Sequence, residues 1–135
     1  MISLHPYRPR SELHQSLNVP DIHWLSLEPE LEGLIVPSKF YGAMAVGRPI
    51  IFIGDPKGEV ARLISTAECG ASFSQGNSND VADYLMLLAN DAQLRRRLGA
   101  NARQFCLDHL TKAQRLEEWR SLIKAVAIED ILPRN

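Results

Sequence analysis

A glycine, a serine and a lysine near the start of one predicted helix have the clearest chemical use in this chain. Ser38 and Lys39 follow Pro37 directly, and Gly33 lies in the loop before them. The first amides of a helix have no partner within the helix and together carry about half a positive charge. A serine hydroxyl and a lysine ammonium add a donor and a full charge, and a glycine allows close approach of a loop to a ligand. The pattern therefore predicts a phosphate-binding helix start.

The same residues also have a plainer interpretation. Pro-Ser is a common way to begin a helix, and Lys39 can be an ordinary solvated charge. The chain has neither the G-x-x-x-x-G-K-S/T pattern of a P-loop nor the G-x-G-x-x-G pattern of a nicotinamide site. Glu32, also in the loop, carries the wrong charge to face a phosphate, but it can accept hydrogen bonds from sugar or ribose hydroxyls.

Composition and charge favour an ordinary globular domain. The chain has 135 residues, of which 45% are hydrophobic and 23% charged, and its net charge of −1 does not favour nucleic-acid binding. We expect no transmembrane segment, because no apolar run approaches roughly 20 residues, and the first residues lack the apolar stretch of a secretion signal. Cys69 and Cys106 lie far apart and are predicted to be reduced thiols. No His/Cys cluster has metal-ligand spacing. These features predict a cytoplasmic protein, with peripheral attachment to the inner membrane left open.

The elements that would position the site alternate between strands and helices. The predicted strands are 2–4, 22–27, 49–53 and 71–74; the predicted helices are 10–17, 38–46, 59–67, one capped by Asn79, one over 91–109 and one capped by Thr111. This alternation predicts an α/β fold with a mostly parallel sheet and helices on both faces. Ligands of such sheets bind beyond the carboxyl ends of the strands, and the 28–39 loop lies at that edge.

The last three helices carry apolar residues at helical spacing, which predicts faces buried in the core. The positions are Val81, Leu85 and Leu88 in the first helix, Leu94, Leu98, Ala102 and Phe105 in the second, and Leu116, Trp119, Leu122, Ile123 and Val126 in the third. His23, inside a predicted strand, is interpreted as a packed histidine.

The middle of the chain resembles family 4 glycosyltransferases of the GT-B fold. Pro37-Ser38-Lys39-Phe40-Tyr41 matches the V-P-S-K-x-Y pattern of a subgroup, and Ala43-Met44-Ala45-Val46-Gly47-Arg48-Pro49 matches the end of the family's E-A-M-A-x-G-x-P segment. The stretch from Glu68 to Phe105 is similar to the family's following strand and helices, so the resemblance covers roughly residues 5–125. At the family's usual glutamate before A-M-A, this chain has Gly42.

The resemblance implies that residues 1–135 are a single, partial donor-binding domain, the later part of a Rossmann-like GT-B C-terminal domain, with C-terminal helices over 91–126. It implies a nucleoside diphosphate sugar as donor substrate, no cofactor, and transfer to an acceptor hydroxyl, which is the chemistry of polysaccharide biosynthesis. The residues that it assigns to the donor are Glu32, Gly33, Leu34, Ile35, Ser38 and Lys39. It assigns no catalytic residue to this chain, since the family's inverting members take their base from the other domain, and it implies that the chain alone lacks activity.

A partial domain also has a predicted consequence for assembly. Strand 22–27 would become an exposed sheet edge, and we expect a dimer, a swapped assembly or a tail strand to cover it. The last helix would dock through its Trp119 face on its own sheet or on a partner chain. The alternative function is a non-catalytic interaction module, or a partner subunit for a separately encoded N-terminal half. A response-regulator-like domain is disfavoured, because Asp21 and Asp55 do not supply the paired acids it needs.

Overall fold

The computed structural model describes residues 3–129, which form three strands and six helices. The strands are β1 (His23–Ser26), β2 (Ile50–Ile53) and β3 (Gly70–Phe73). The helices are α1 (Leu13–Asn18), α2 (Ser38–Ala45), α3 (Glu59–Thr66), α4 (Ser78–Asn90), α5 (Ala92–His109) and α6 (Lys112–Glu129). Two short 3-10 turns, Arg10–Glu12 and Pro29–Leu31, precede α1 and α2.

The three strands form one parallel sheet in the order β1-β2-β3, which confirms the predicted α/β class. His23 and Gly70 both lie opposite Ile50, so the strands start in register. The central strand is an unbroken apolar run, and Ile50, Ile51 and Phe52 are fully buried. A strand covered on both faces needs apolar side chains on both sides, which explains the absence of alternation in its sequence.

Helices cover both faces of the sheet, as predicted. On one face, Phe52 and Leu25 pack with α2 and α3 in a core that includes Phe40, Met44 and Ile64. On the other face, Ile51 packs against α4 and α5 with the buried residues Val81, Leu88 and Leu98. Leu85, Leu94 and Phe105 are partly buried against these two clusters, so the predicted inward faces of α4 and α5 are confirmed.

A close backbone approach fixes where α2 ends and where α5 crosses it. Gly47 ends α2 with a φ of +69°, a conformation that glycine adopts without strain. A Cβ placed on Gly99 of α5 would lie 2.2 Å from the Gly47 carbonyl oxygen, so only glycine fits at this crossing. Two glycines thus hold α2 against α5.

One predicted strand and the predicted start of one helix are wrong. Ser3 and Leu4 form no strand, and the rest of the predicted strand lies outside the described residues. Helix α4 begins at Ser78 after Asn77, two residues earlier than a cap at Asn79 would place it. Thr111, by contrast, does cap α6: its Oγ1 accepts from the Gln114 amide at 3.4 Å, and the Gln114 Oε1 accepts from the Thr111 amide at 2.9 Å.

The apolar stripe of α6 does not enter the core, so its predicted burial against its own sheet is wrong, and docking on a partner chain stays a prediction. Its five large side chains are between 50% and 65% exposed, with Trp119 the most exposed at 65%. The small sheet is already covered by α2 and α3 on one face and by α4 and α5 on the other. A helix with an apolar stripe needs a facing apolar surface, and the stripe of α6 packs against none in the described structure.

Strand β1 is an edge strand, as predicted. It pairs with β2 alone among the described residues, and Trp24 is 54% exposed.

His23 is a packed residue: it is half-buried and its Nε2 donates to the Leu17 carbonyl at 2.9 Å. Burial lowers its pKa, and the nearby Arg48 charge lowers it further.

Within residues 3–129, no helix is long and apolar enough to cross a membrane.

Candidate functional site

The loop after β1 brings the start of α2 to the carboxyl edge of the sheet. The 3-10 turn Pro29–Leu31 folds this loop, and the Leu31 carbonyl then accepts from the amides of Leu34 (3.1 Å) and Ile35 (3.2 Å). These backbone hydrogen bonds make the loop compact, and it leads to Pro37, the residue directly before α2. Because β1 runs parallel to β2, the loops that follow both strands meet at one edge.

The first turn of α2 is free of side-chain capping. Pro37 has no side-chain group to offer, and no other side chain caps this end. The Phe40 amide donates to the Pro37 carbonyl at 2.9 Å, whereas the amides of Ser38 and Lys39 meet no acceptor in the described part of the chain. Both side chains are exposed, and Lys39 forms no ion pair with any residue of 3–129. The helix start therefore presents unsatisfied donors and an uncompensated charge to solvent.

The segment before α2 is open and apolar. Gly33 has a φ of +79°, and a Cβ added there would have nothing within 4 Å. Leu34, Ile35 and Val36 are 75%, 51% and 42% exposed, so this apolar run does not enter the sheet. Three consecutive exposed aliphatic residues beside free amides make a surface on which the apolar part of an anionic ligand can rest.

Glu32 contacts the start of α3, whereas the other predicted site residues lie at the start of α2 or in the loop before it. Its Oε1 accepts from the Glu59 amide at 2.9 Å, at the start of α3. Its Oε2 is buried with no hydrogen-bond partner in the described structure. A Cβ on Gly58 would lie 2.5 Å from that same oxygen, so the carboxylate rests directly on the Gly58 backbone. Glu32 supplies the N-terminal cap of α3 from a distant part of the sequence, because the residue before that helix is a glycine without a side chain.

A second side-chain contact links the loops at this edge. The Gln75 Nε2, after β3, donates to the Glu28 Oε2, after β1, at 2.9 Å. The loop of the outer strand β1 thus reaches the loop of the opposite outer strand, across the end of β2.

Tyr41, half-buried in α2, contributes an uncharged phenol: burial raises its pKa, and the nearby Glu59 carboxylate raises it further.

Position 42 of α2 lies against the side chain of Leu17. A Cβ on Gly42 would lie 3.0 Å from the Leu17 Cδ1 of α1. Helix α1 therefore covers this part of α2, and the end of the Leu17 side chain would have to shift by a few tenths of an ångström to admit a Cβ at position 42. Helix α2 carries no carboxylate of its own.

Of the predicted site residues, the structure brings Gly33, Leu34, Ile35, Ser38 and Lys39 together on one loop and helix start, and it places Glu32 beside α3. Sequence reasoning missed Gly58, the Glu59 amide and Gln75 as participants at this edge. A signal was present for the first two, since a glycine directly before a helix needs a cap from elsewhere.

No group of three or more His, Cys, Asp or Glu residues within the described chain is arranged to hold a metal ion. Comparisons with protein-family models, with curated proteins and with solved structures each found no match.

Proposed function

We propose that this chain binds the diphosphate of a nucleotide-sugar at the start of α2, as the donor-binding part of a glycosyltransferase. The proposed site consists of the 32–39 segment at the carboxyl edge of the sheet. The proposal rests on the sequence resemblance and on one structural observation, the uncapped first turn of α2.

That observation has a direct electrostatic meaning. Two successive amides, of Ser38 and Lys39, meet no acceptor in the described structure, and the helix dipole adds to their positive potential. A helix start in this condition attracts an anion, and the Lys39 ammonium adds a full charge next to it. The Ser38 hydroxyl supplies a further donor to a phosphate oxygen.

The same groups would assist chemistry as well as binding. When a sugar leaves a nucleoside diphosphate, negative charge builds on the phosphate oxygen that departs. Fixed amides and an ammonium that face this charge stabilise it more in the transition state than in the ground state. The proposed role of Ser38 and Lys39 is therefore to hold the leaving group, and an acceptor hydroxyl and its base come from outside this chain.

Glu32 has a positioning role in this proposal. Its Oε1 is committed to the Glu59 amide, which anchors the loop that leads to Gly33. Its Oε2 is buried against the Gly58 backbone, so Glu32 holds the loop in place and does not contact the ligand itself.

The test is a calorimetric titration of uridine and guanosine diphosphates into the full chain and into Lys39→Ala. We expect Lys39→Ala to weaken binding about tenfold or more, because a hydrogen bond to a charged group contributes about 1.5–3 kcal/mol. Lys124→Ala is the matched control, since it removes the same charge from an exposed position on α6. Absence of binding by the parent, or equal losses in the two variants, would refute the assignment.

A second candidate function, an interaction module that completes a separately encoded half, is favoured by a different observation. The apolar stripe of α6 is exposed, and β1 has an unpaired outer edge within the described structure. Large exposed apolar surfaces commonly mark sites of protein association. A chain that fails to bind either diphosphate but associates stably with such a half would favour this candidate.

A further inference from the structure

A small cavity at the opposite edge of the sheet is lined by three arginines. It has a volume of about 290 Å³ and is bordered by Asp21, Arg48, Arg95 and Arg96, together with Gly47 and Ala92. Asp21 comes just before β1, and Arg48 just before β2, so the cavity lies at the amino edge. It is separate from the proposed nucleotide site, which lies at the carboxyl edge.

Backbone carbonyls hold two of these guanidinium groups in place. The Arg48 Nη2 donates to the Asn18 carbonyl, the last residue of α1, at 2.8 Å. The Arg95 Nη1 donates to the Ala89 carbonyl near the end of α4 at 3.0 Å, and also to the Leu88 carbonyl. These carbonyls fix the orientation of the two side chains, and the partial negative charge at the ends of α1 and α4 offsets only part of each full positive charge.

The charges that line the cavity do not balance. Asp21 is the only carboxylate among the lining residues, and its side chain is 79% exposed. Its Oδ1 lies 3.9 Å from the Arg48 Nη1, a loose and solvated contact worth little. The Asp91 carboxylate keeps its negative charge and accepts from the Leu94 amide at 2.7 Å, but it does not line this cavity. The cavity therefore carries an excess of two positive charges among its lining side chains.

Arg96 provides an accessible hydrogen-bond donor in this positively charged cavity. It is exposed, and its guanidinium forms no ion pair or hydrogen bond with any residue of 3–129. Arg95 uses one terminal nitrogen for the two carbonyls, which leaves the other free to donate. The planar donor fork of a guanidinium matches the oxygens of a phosphate group better than a point charge does.

We propose that this cavity binds a phosphate dianion, either free or as a small phosphomonoester. A volume of about 290 Å³ holds a phosphate group with a short organic remainder, and it lies at the lower limit of pockets that enclose drug-sized ligands. Arg96 and Arg95 contact the phosphate oxygens, and Arg48 adds its charge from the wall of the cavity.

The experiment follows arginine side-chain signals of the full chain by nuclear magnetic resonance. Inorganic phosphate and glycerol 3-phosphate are titrated separately at about 150 mM salt, where contacts between distant exposed charges are screened. We expect the Nε–Hε signals of Arg48, Arg95 and Arg96 to shift with saturation. Stronger binding of one of the two probes identifies the free or the esterified ligand, and either result supports the site.

Two adjacent arginines provide the matched pair of variants. Arg96→Ala should weaken phosphate binding about tenfold, whereas Arg97→Ala, an equally exposed neighbour that does not line this cavity, should change it less than about twofold. Both replace an exposed helical residue with a strong helix former, so both variants should fold.

The outcome also separates this proposal from the nucleotide site. Lys39→Ala should leave phosphate binding at the arginines unchanged. The proposal is overturned if the parent shows no saturable shift, if both arginine variants lose affinity equally, or if Lys39→Ala alone abolishes binding.

Discussion

Removal of the Glu32 side chain tests how the loop before α2 is anchored. In Glu32→Ala, the Glu59 amide loses the acceptor that lies 2.9 Å away, and α3 loses its only side-chain cap in the described structure. Loss of an N-terminal cap costs about 1 kcal/mol, and loss of a negative charge at a helix start costs about 0.5 kcal/mol more.

One contribution acts in the opposite direction. The Glu32 Oε2 is buried without a partner in the described structure, and removal of such an oxygen recovers part of its desolvation cost. With about 0.5 kcal/mol recovered, the net destabilisation is about 1 kcal/mol. For a chain of this size, that corresponds to a fall in Tm of about 4 °C.

The assay is urea unfolding followed by far-ultraviolet circular dichroism, with Glu30→Ala measured in parallel. Glu30 is an exposed carboxylate in the same 3-10 turn and makes no hydrogen bond within the described residues, so its loss should change the free energy of unfolding by less than about 0.5 kcal/mol. Equal effects of the two substitutions, or a Glu32→Ala chain more stable than the parent, would refute the capping role.

Three further predictions address other parts of the fold. Burial lowers the His23 pKa below its usual 6.5, so the unfolded chain binds a proton on His23 at a higher pH than the folded chain does. The free energy of unfolding should therefore decline as the pH is lowered from about 7.5 to 5. The decline should be smaller in His23→Gln, which cannot take up this proton. Gly99→Ala should cost about 3 kcal/mol in thermal unfolding, despite the better helix propensity of alanine, because the new Cβ would lie 2.2 Å from the Gly47 carbonyl; an unchanged Tm would contradict the close crossing of α2 and α5. Trp119→Ala should leave the unfolding free energy of the dilute chain within about 0.5 kcal/mol of the parent, since this side chain is 65% exposed, and a loss above about 2 kcal/mol would mean that α6 packs in the core.

The features that could be predicted from the sequence are those determined by neighbouring residues. The apolar run over Ile50–Ile53 predicts a strand buried on both faces, and Pro37 and Gly47 mark the start and end of α2. Each of these signals acts within a few residues, through side-chain periodicity or through the permitted backbone angles. The same local logic placed Thr111 correctly at the start of α6.

Local signals fail where two of them compete or where a partner surface is needed. Asn77 and Asn79 are both suitable residues for a helix start, and α4 begins after Asn77, although its side chain makes no capping hydrogen bond. The stripe on α6 has the spacing of a core helix, but burial depends on a free apolar surface, and the small sheet is already covered.

The amino-acid sequence by itself determined the α/β class, the order of the elements from β1 onward, and the loop and helix start over residues 33–39. The tertiary structure alone decided that Glu32 caps α3 rather than facing that helix start, that α1 closes over Gly42, and that three arginines line one cavity. The physical reason is that periodicity and capping are short-range effects, whereas these contacts join residues that are distant in the chain and meet only after the sheet has formed.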